Sequence, residues 1–83
     1  MMKFTINDAY GIHARVATQI VNLVDLYSGA LILVVNGKRA SGSSIIGLMQ
    51  LETRKGDIVS LEYLKPMKNQ FEFEKLLSKI IEG

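Results

Sequence analysis

The chain has 83 residues, 48% of them apolar, and a formal net charge of +2 from ten basic and eight acidic residues. This length supports one domain with one core, so we predict a single domain over residues 1–83. The small net charge and the lack of interleaved aromatic and basic residues argue against nucleic-acid binding. The absence of cysteine excludes disulfides, and one histidine cannot make a convincing zinc site.

Hydropathy argues against insertion into a membrane. No apolar stretch approaches the roughly 20 residues that span a bilayer. The N-terminal residues lack the basic start, long apolar segment and cleavage site of a secretory signal. We therefore expect a cytoplasmic protein that does not insert into a membrane.

The N-terminal part of the chain predicts a strand, a loop and a helix. Residues 2–7 alternate apolar and polar side chains, which is the period of a half-buried strand, and residues 8–11 form a loop. From Ala14 onward apolar residues recur every three or four positions, which predicts one buried helix face. That face comprises Ala17, Ile20, Val21 and Val24. We expect the helix to end at Ser28-Gly29, with Gly29 in the left-handed conformation.

The middle of the chain predicts a hairpin and a short helix. Residues 30–35 are rich in β-branched side chains, and Asn36-Gly37 favours a type I′ turn. Residues 38–41 should therefore return as a second strand. Ser43 or Ser44 then caps a short helix. Its apolar residues are Ile45, Ile46, Leu48 and Met49.

The C-terminal part predicts one more strand and a final helix. The turn at Lys55-Gly56 leads into a strand over residues 58–64, which Pro66 ends. Asn69 and Glu72 have the spacing of a capping box. They precede the apolar stripe of a helix: Phe73, Leu76, Leu77, Ile80 and Ile81. The whole order predicts an α+β fold in which helices cover one face of a largely antiparallel sheet.

His13 is the only histidine, and it lies where the first predicted loop opens into a helix. An imidazole there can take up a phosphoryl group, and Arg15 can pair with that group through two parallel hydrogen bonds. Free backbone N–H groups at the helix start can hold its oxygens. These donors belong to Ala14, Arg15, Val16 and Ala17. The alternative is that His13 merely caps the helix and Arg15 is an ordinary exposed charge.

Two motifs resemble those of a known family. Residues Gly11 to Ala17 match the family motif Gly-(Leu/Ile)-His-Ala-Arg-Pro-Ala at every place but one, and residues 43–49 resemble Lys-Ser-Ile-Met-Gly-Val-Met. The chain thus resembles HPr, the histidine-containing phosphocarrier of the bacterial phosphoenolpyruvate:sugar phosphotransferase system. This resemblance implies an open-faced β-sandwich, with four antiparallel strands covered on one face by three helices (βαββαβα).

The resemblance also implies a function. In this family enzyme I moves phosphate from phosphoenolpyruvate to the histidine, which passes it to sugar-specific enzyme IIA domains. His13 would be the phosphohistidine and Arg15 would stabilise the phosphate. The protein would be a phosphoryl-transfer carrier component rather than a free-standing enzyme. We expect a monomer that needs no cofactor and no metal.

The chain departs from the family pattern at four positions. Val16 replaces the proline of the first motif, Ser43 replaces a basic residue, Ile46 replaces a methionine, and Asp25 lies where relatives often have a basic residue. We expect phosphorylation to survive the change at Val16 with an altered rate.

Ser44 allows a second reading of the function. In Gram-positive relatives a dedicated kinase phosphorylates the matching serine, which weakens the encounter with enzyme I and creates a form that binds a transcriptional regulator. Ser44 either has this role or only caps its helix. The alternative function is therefore a regulatory HPr-like paralogue that acts mainly by protein contacts. An unrelated small domain that binds a metabolite or nucleic acid is a third reading.

An apolar patch near His13 is the expected docking surface for partner proteins. Its residues would be Val16, Ile45, Ile46, Leu48 and Met49. The alternative is that most of these side chains belong to the core.

Overall fold

The computed structural model describes residues 3–83, and its four strands and three helices follow the predicted order. Met2, the first residue of the predicted N-terminal strand, lies outside the described residues. The elements are β1 (Lys3–Thr5), α1 (Ala14–Leu26), β2 (Leu31–Val35), β3 (Lys38–Ser41), α2 (Ile45–Met49), β4 (Ile58–Tyr63) and α3 (Gln70–Glu82).

The strands form one sheet in the order β1-β4-β2-β3, and each neighbouring pair is antiparallel. Leu33 lies opposite Leu61 in the centre of the sheet, and Phe4 lies opposite Val59 at the β1 edge. All four side chains are buried, because alternate residues of each strand point to the face that the helices cover. The predicted open-faced sandwich is therefore confirmed.

The helices pack their apolar faces onto this sheet. In α1, Ala17, Ile20 and Val24 are fully buried as predicted, whereas Val21 is only partly buried. Leu23 is also in the core. The buried residues of α3 are Phe73, Leu77 and Ile81. Each large buried side chain contributes about 1.5–3 kcal/mol, so this single layer of contacts holds the helices in place. Within residues 3–83 no helix has the length and apolar character needed to cross a membrane.

The turn between β2 and β3 forms as its residues predict. Asn36 has a φ of 52° and Gly37 a φ of 79°, the positive values that a type I′ turn requires.

At the end of α1, the residue in the left-handed conformation is Ser28 and not the predicted Gly29. The N–H of Gly29 donates to the carbonyl of Val24 at 2.8 Å, and the N–H of Ser28 donates to that of Asp25 at 3.0 Å. This pair of bonds is a Schellman motif, and it places Ser28, with a φ of 51°, in the left-handed position. A Cβ on Gly29 would lie 2.5 Å from Cε of Met67, the flexible end of that side chain.

The capping box predicted at the start of α3 is wrong. Asn69 precedes the helix in a left-handed conformation (φ 59°) and its side chain makes no capping hydrogen bond, whereas a capping residue normally has extended backbone. Glu72 instead accepts a hydrogen bond from the hydroxyl of Tyr27. This bond joins the start of α3 to the end of α1.

Candidate functional site

His13 is the residue directly before α1, with extended backbone (φ −88°, ψ −178°). His13 occupies the capping position, but its side chain makes no capping hydrogen bond. The side chain is 32% exposed, which leaves part of the ring open to solvent. The imidazole is thus accessible at the start of a helix.

The first backbone N–H groups of α1 are mostly unbonded. Ala17 donates to the carbonyl of His13 at 2.8 Å, so the prediction that its N–H binds phosphate is wrong. The N–H groups of Ala14, Arg15 and Val16 have no acceptor among residues 3–83. A helix start carries about half a positive charge, so these donors form a favourable place for an anion.

The chain directly before His13 is anchored to a distant loop. The N–H of Ile12 donates to the hydroxyl of Thr53 at 2.7 Å. Gly11 has a φ of 67°, and a Cβ there would lie 2.3 Å from the carbonyl oxygen of Thr53. Only glycine fits this contact, and the contact fixes the position of the backbone that leads into His13. No local pattern in the sequence points to Thr53, because 41 residues separate it from Ile12.

Asp8, which the sequence did not single out, joins the two predicted site residues, His13 and Arg15. Oδ2 of Asp8 lies 3.2 Å from Nε2 of His13 and accepts a hydrogen bond from Nη2 of Arg15 at 2.9 Å. Its other oxygen, Oδ1, accepts from the N–H of Tyr10 at 2.9 Å. The structure therefore brings His13 and Arg15 together on one carboxylate. The only signal in the sequence was an acidic residue in the loop before the histidine.

The contacts of Asp8 keep it ionised. The hydrogen bond from the Tyr10 N–H lowers the pKa of Asp8 the most, and the hydrogen bond from His13 lowers it further, whereas burial opposes both. The ring of Tyr10 also packs edge-on against the imidazole, with centroids 6.2 Å apart and an interplanar angle of 88°. Tyr10 is 81% exposed, so it forms the outer wall of the site.

Ser44 lies at the start of α2, and its hydroxyl oxygen accepts a hydrogen bond from the N–H of Gly47 at 2.9 Å. The predicted capping of this helix is confirmed for Ser44. No hydrogen bond within residues 3–83 connects its side chain to His13 or Arg15. Phosphorylation of Ser44 stays a prediction.

The predicted docking patch is only partly on the surface. Ile46, Met49 and Ile45 are exposed, whereas Val16 and Leu48 are 4% and 0% exposed. Val16 and Leu48 belong to the core, and the prediction that they contact partners is wrong. For Leu48 periodicity could not show this, because α2 has only five residues. For Val16 it could have, because Val16 lies four residues before Ile20 and eight before Val24 on the buried face of α1. Within residues 3–83 no group of three potential ligand side chains could hold a metal ion.

The fold and the site together define a small α+β domain that presents a histidine among unbonded amides. Residues 2–74 match the family described as PTS HPr component phosphorylation site. The chain belongs to this family, and the resemblance drawn from its two motifs is confirmed.

Individual relatives agree with this assignment. The chain is 32% identical over 80 residues to phosphocarrier protein HPr of Lysinibacillus sphaericus, covering 96% of this chain and 90% of the relative. It is 37% identical over 57 residues to phosphocarrier protein NPr of Shewanella violacea, covering 69% of this chain and 63% of the relative.

Solved structures show the same fold. The crystal structure of HPr-C-His from Thermoanaerobacter tengcongensis has a TM-score of 0.81 and 27% identity, covering 98% of this chain and 89% of that chain. Phosphocarrier protein HPr from Bacillus anthracis has a TM-score of 0.80 at 19% identity, covering 96% of this chain and 93% of that chain, which shows the fold alone.

Proposed function

We propose that this protein carries phosphate on His13, accepting it from phospho-enzyme I and passing it to enzyme IIA domains of a sugar phosphotransferase system. The observation that carries this proposal is the accessible imidazole of His13 beside three unbonded amides, Ala14, Arg15 and Val16. Membership of the HPr family supports the phosphotransferase system as the setting and enzyme I and IIA as the general kind of partner.

The site has the groups that phosphoryl transfer needs. A neutral imidazole is a competent nucleophile near neutral pH, and its phosphoramidate is reactive enough to hand the group on. In-line transfer between two proteins depends mainly on positioning and on neutralising the phosphoryl charge. The unbonded amides at the start of α1 supply fixed donors for the phosphoryl oxygens.

Arg15 supplies a positive charge beside the imidazole. Its side chain is 62% exposed and contacts Asp8 through one nitrogen. A guanidinium has five N–H donors, so the others remain able to bind phosphoryl oxygens. Arg15 can therefore bind the phosphoryl group while it keeps its hydrogen bond to Asp8.

Partner proteins would dock on the exposed part of the predicted patch. Ile46, Met49 and Ile45 leave apolar surface uncovered on α2, and Tyr10 does so beside His13. Apolar and aromatic residues of this kind are enriched at protein interfaces. We propose these four residues as contacts for enzyme I and enzyme IIA domains.

The decisive test is phosphate transfer from phosphoenolpyruvate by enzyme I. We expect acid-labile label on the wild-type protein, none on His13→Ala, and normal label on the matched control Ser44→Ala. The label should then move to an enzyme IIA domain. Label that survives in His13→Ala, or a wild-type protein that enzyme I never labels, would show the proposal to be wrong.

Regulation through Ser44 is a second candidate function, favoured by the position of this serine before the exposed Ile46. A phosphate at a helix start is electrostatically acceptable, and it would place charge at the edge of the proposed docking surface. Treatment with a serine kinase from Gram-positive relatives should add one phosphoryl group to the wild type and none to Ser44→Ala. An unchanged wild-type mass would rule out this substrate relationship for that enzyme.

A further inference from the structure

Asp8 is held in a fixed position by its own loop. Oδ1 accepts the N–H of Tyr10 at 2.9 Å, and the carbonyl oxygen of Asp8 accepts the N–H of Gly11 at 3.0 Å. The side chain is 22% exposed. These bonds leave Oδ2 facing two side chains, the titratable imidazole of His13 and the cationic guanidinium of Arg15.

The contact with Asp8 determines where the ring proton lies. An ionised carboxylate has only acceptors, so Nε2 of His13 must carry a hydrogen to bond with Oδ2. In a neutral imidazole the other nitrogen, Nδ1, then holds the lone pair. Asp8 thereby selects one tautomer of His13 and one direction of the ring.

We propose that Asp8 is a positioning residue of the phosphoryl site, which orients the His13 ring and balances the charge that the ring acquires during transfer. This inference rests on the proposed function. As the lone pair of Nδ1 forms a bond to phosphorus, the bond between phosphorus and the donor breaks and its electron pair leaves with the donor. The ring, which still has its hydrogen on Nε2, becomes positively charged, and the Asp8 carboxylate faces that charge. The reverse step returns the electron pair of the N–P bond to the ring.

The same oxygen ties the ring to Arg15. Because Oδ2 of Asp8 contacts both side chains, the guanidinium is held beside the imidazole before any phosphate arrives. Pre-positioned charge of this kind does not have to reorganise when the reaction occurs. A carboxylate that orients a histidine and stabilises its imidazolium has the same role in serine hydrolases.

The ring nitrogens give a direct spectroscopic test, since His13 is the only histidine. In ¹⁵N-labelled protein at about pH 8, where an ordinary imidazole is neutral, we expect Nε2 to carry the hydrogen and Nδ1 to be unprotonated. Asp8→Asn should shift both ring signals toward a mixture of tautomers. The matched control is Asp57→Asn, which removes a carboxylate that accepts the N–H of Arg54 in another turn.

The rate test uses potassium phosphoramidate as the phosphoryl donor, so that it does not depend on enzyme I. Asp8→Asn should slow phosphorylation of His13 about tenfold, roughly the effect of losing one charge-assisted hydrogen bond to the reacting ring. Asp8→Glu should restore part of the rate because it returns the charge, and Asp57→Asn should match the wild type. Thermal unfolding of each variant shows whether the fold is retained.

The outcomes separate this inference from the proposed function. Equal rates and equal ring signals for wild type and Asp8→Asn would overturn the role of Asp8. A faster Asp8→Asn would overturn it too, because the carboxylate would then be a competitor of the phosphate. Enzyme I could fail to label the wild type while the phosphoramidate rates still depend on Asp8. This result would support the positioning role of Asp8 and contradict the proposed carrier function.

Discussion

At the start of α2 the hydroxyl of Ser44 accepts the N–H of Gly47, whereas at the start of α1 the side chain of His13 caps no backbone group and three amides stay unbonded within residues 3–83. A serine cap contributes about 1 kcal/mol, so α1 lacks a stabilising contact that α2 has. The first N–H groups of any helix lack an intrahelical acceptor, and within residues 3–83 those of Gln70, Phe71 and Glu72 at the start of α3 are open as well. What distinguishes the start of α1 is the accessible imidazole beside its open donors. The starts of α1 and α2 thus differ in capping, and the uncapped one carries the histidine of the proposed phosphate site.

The uncapped start of α1 is positioned by contacts of the preceding residues with Thr53. Gly11 and Ile12 lie against Thr53, and this backbone contact positions His13 without using the amides of the helix. The following predictions test this difference between the two helix starts.

Gly11→Ala should have the largest effect, because it adds a Cβ at positive φ and 2.3 Å from the carbonyl oxygen of Thr53. We expect a loss of roughly 3–5 kcal/mol in the free energy of unfolding, measured by urea denaturation. Gly37→Ala is the matched control: its φ is also positive, at 79°, but no atom lies within 4 Å of the added Cβ. That control should lose only about 1–2 kcal/mol. Equal losses would show that the Thr53 contact does not matter.

Ser44→Ala removes the cap of α2 and should lower the free energy of unfolding by about 1 kcal/mol. Denaturant unfolding checks this value. Phosphate acceptance by His13 should be unchanged, because the Ser44 hydroxyl bonds to Gly47 and not to the histidine. A variant as stable as the wild type would mean that the cap contributes nothing.

His13→Ser is the converse change, since it places a good capping residue at the open start of α1. We expect it to raise the free energy of unfolding by about 0.5–1 kcal/mol and to abolish phosphate acceptance. Calorimetry and enzyme I labelling measure the two effects. A destabilised variant would argue that the His13 contacts with Asp8 outweigh a serine cap.

Val16→Pro tests whether an amide at the open helix start is dispensable for the fold. The Val16 N–H has no acceptor among residues 3–83, so proline removes no hydrogen bond there, and the loss should be about 1 kcal/mol or less. Proline at Val21, inside α1, should cost about 3 kcal/mol or more. Phosphorylation should survive in Val16→Pro with a changed rate. If enzyme I phosphorylated the Val16→Pro variant but not the wild type, this expectation would be contradicted.

The smallest effect should be a pH dependence from Asp8, which faces the ionisable groups His13 and Arg15. The Tyr10 N–H and then His13 hold the pKa of Asp8 below its ordinary value. A group of this kind adds stability above its unfolded pKa of about 3.9, and loses it as the pH falls through the lower folded value. Wild type should therefore be more stable than Asp8→Asn at about pH 5, and the difference should close on further acidification. A difference at about pH 2 as large as at pH 5 would contradict this.

Much of the fold could be predicted from the chain alone, because its signals are local. The Asn36-Gly37 turn, the buried stripe of α1 and the Ser44 cap each depend on side chains a few residues apart, and all three formed as expected apart from Val21, which is only partly buried. His13 and Arg15 could be named for the same reason, since two residues on one helix start lie close in any fold.

What the sequence determined by itself was the order of the elements and the histidine at the start of α1. Tertiary structure decided the rest: it placed Thr53 behind Gly11, turned the Asp8 carboxylate onto His13, and buried Leu48. The physical reason is that these features depend on where a loop backbone bends and on which side of a helix meets the sheet. Neither is set by neighbouring side chains, and both are settled only when the whole core packs.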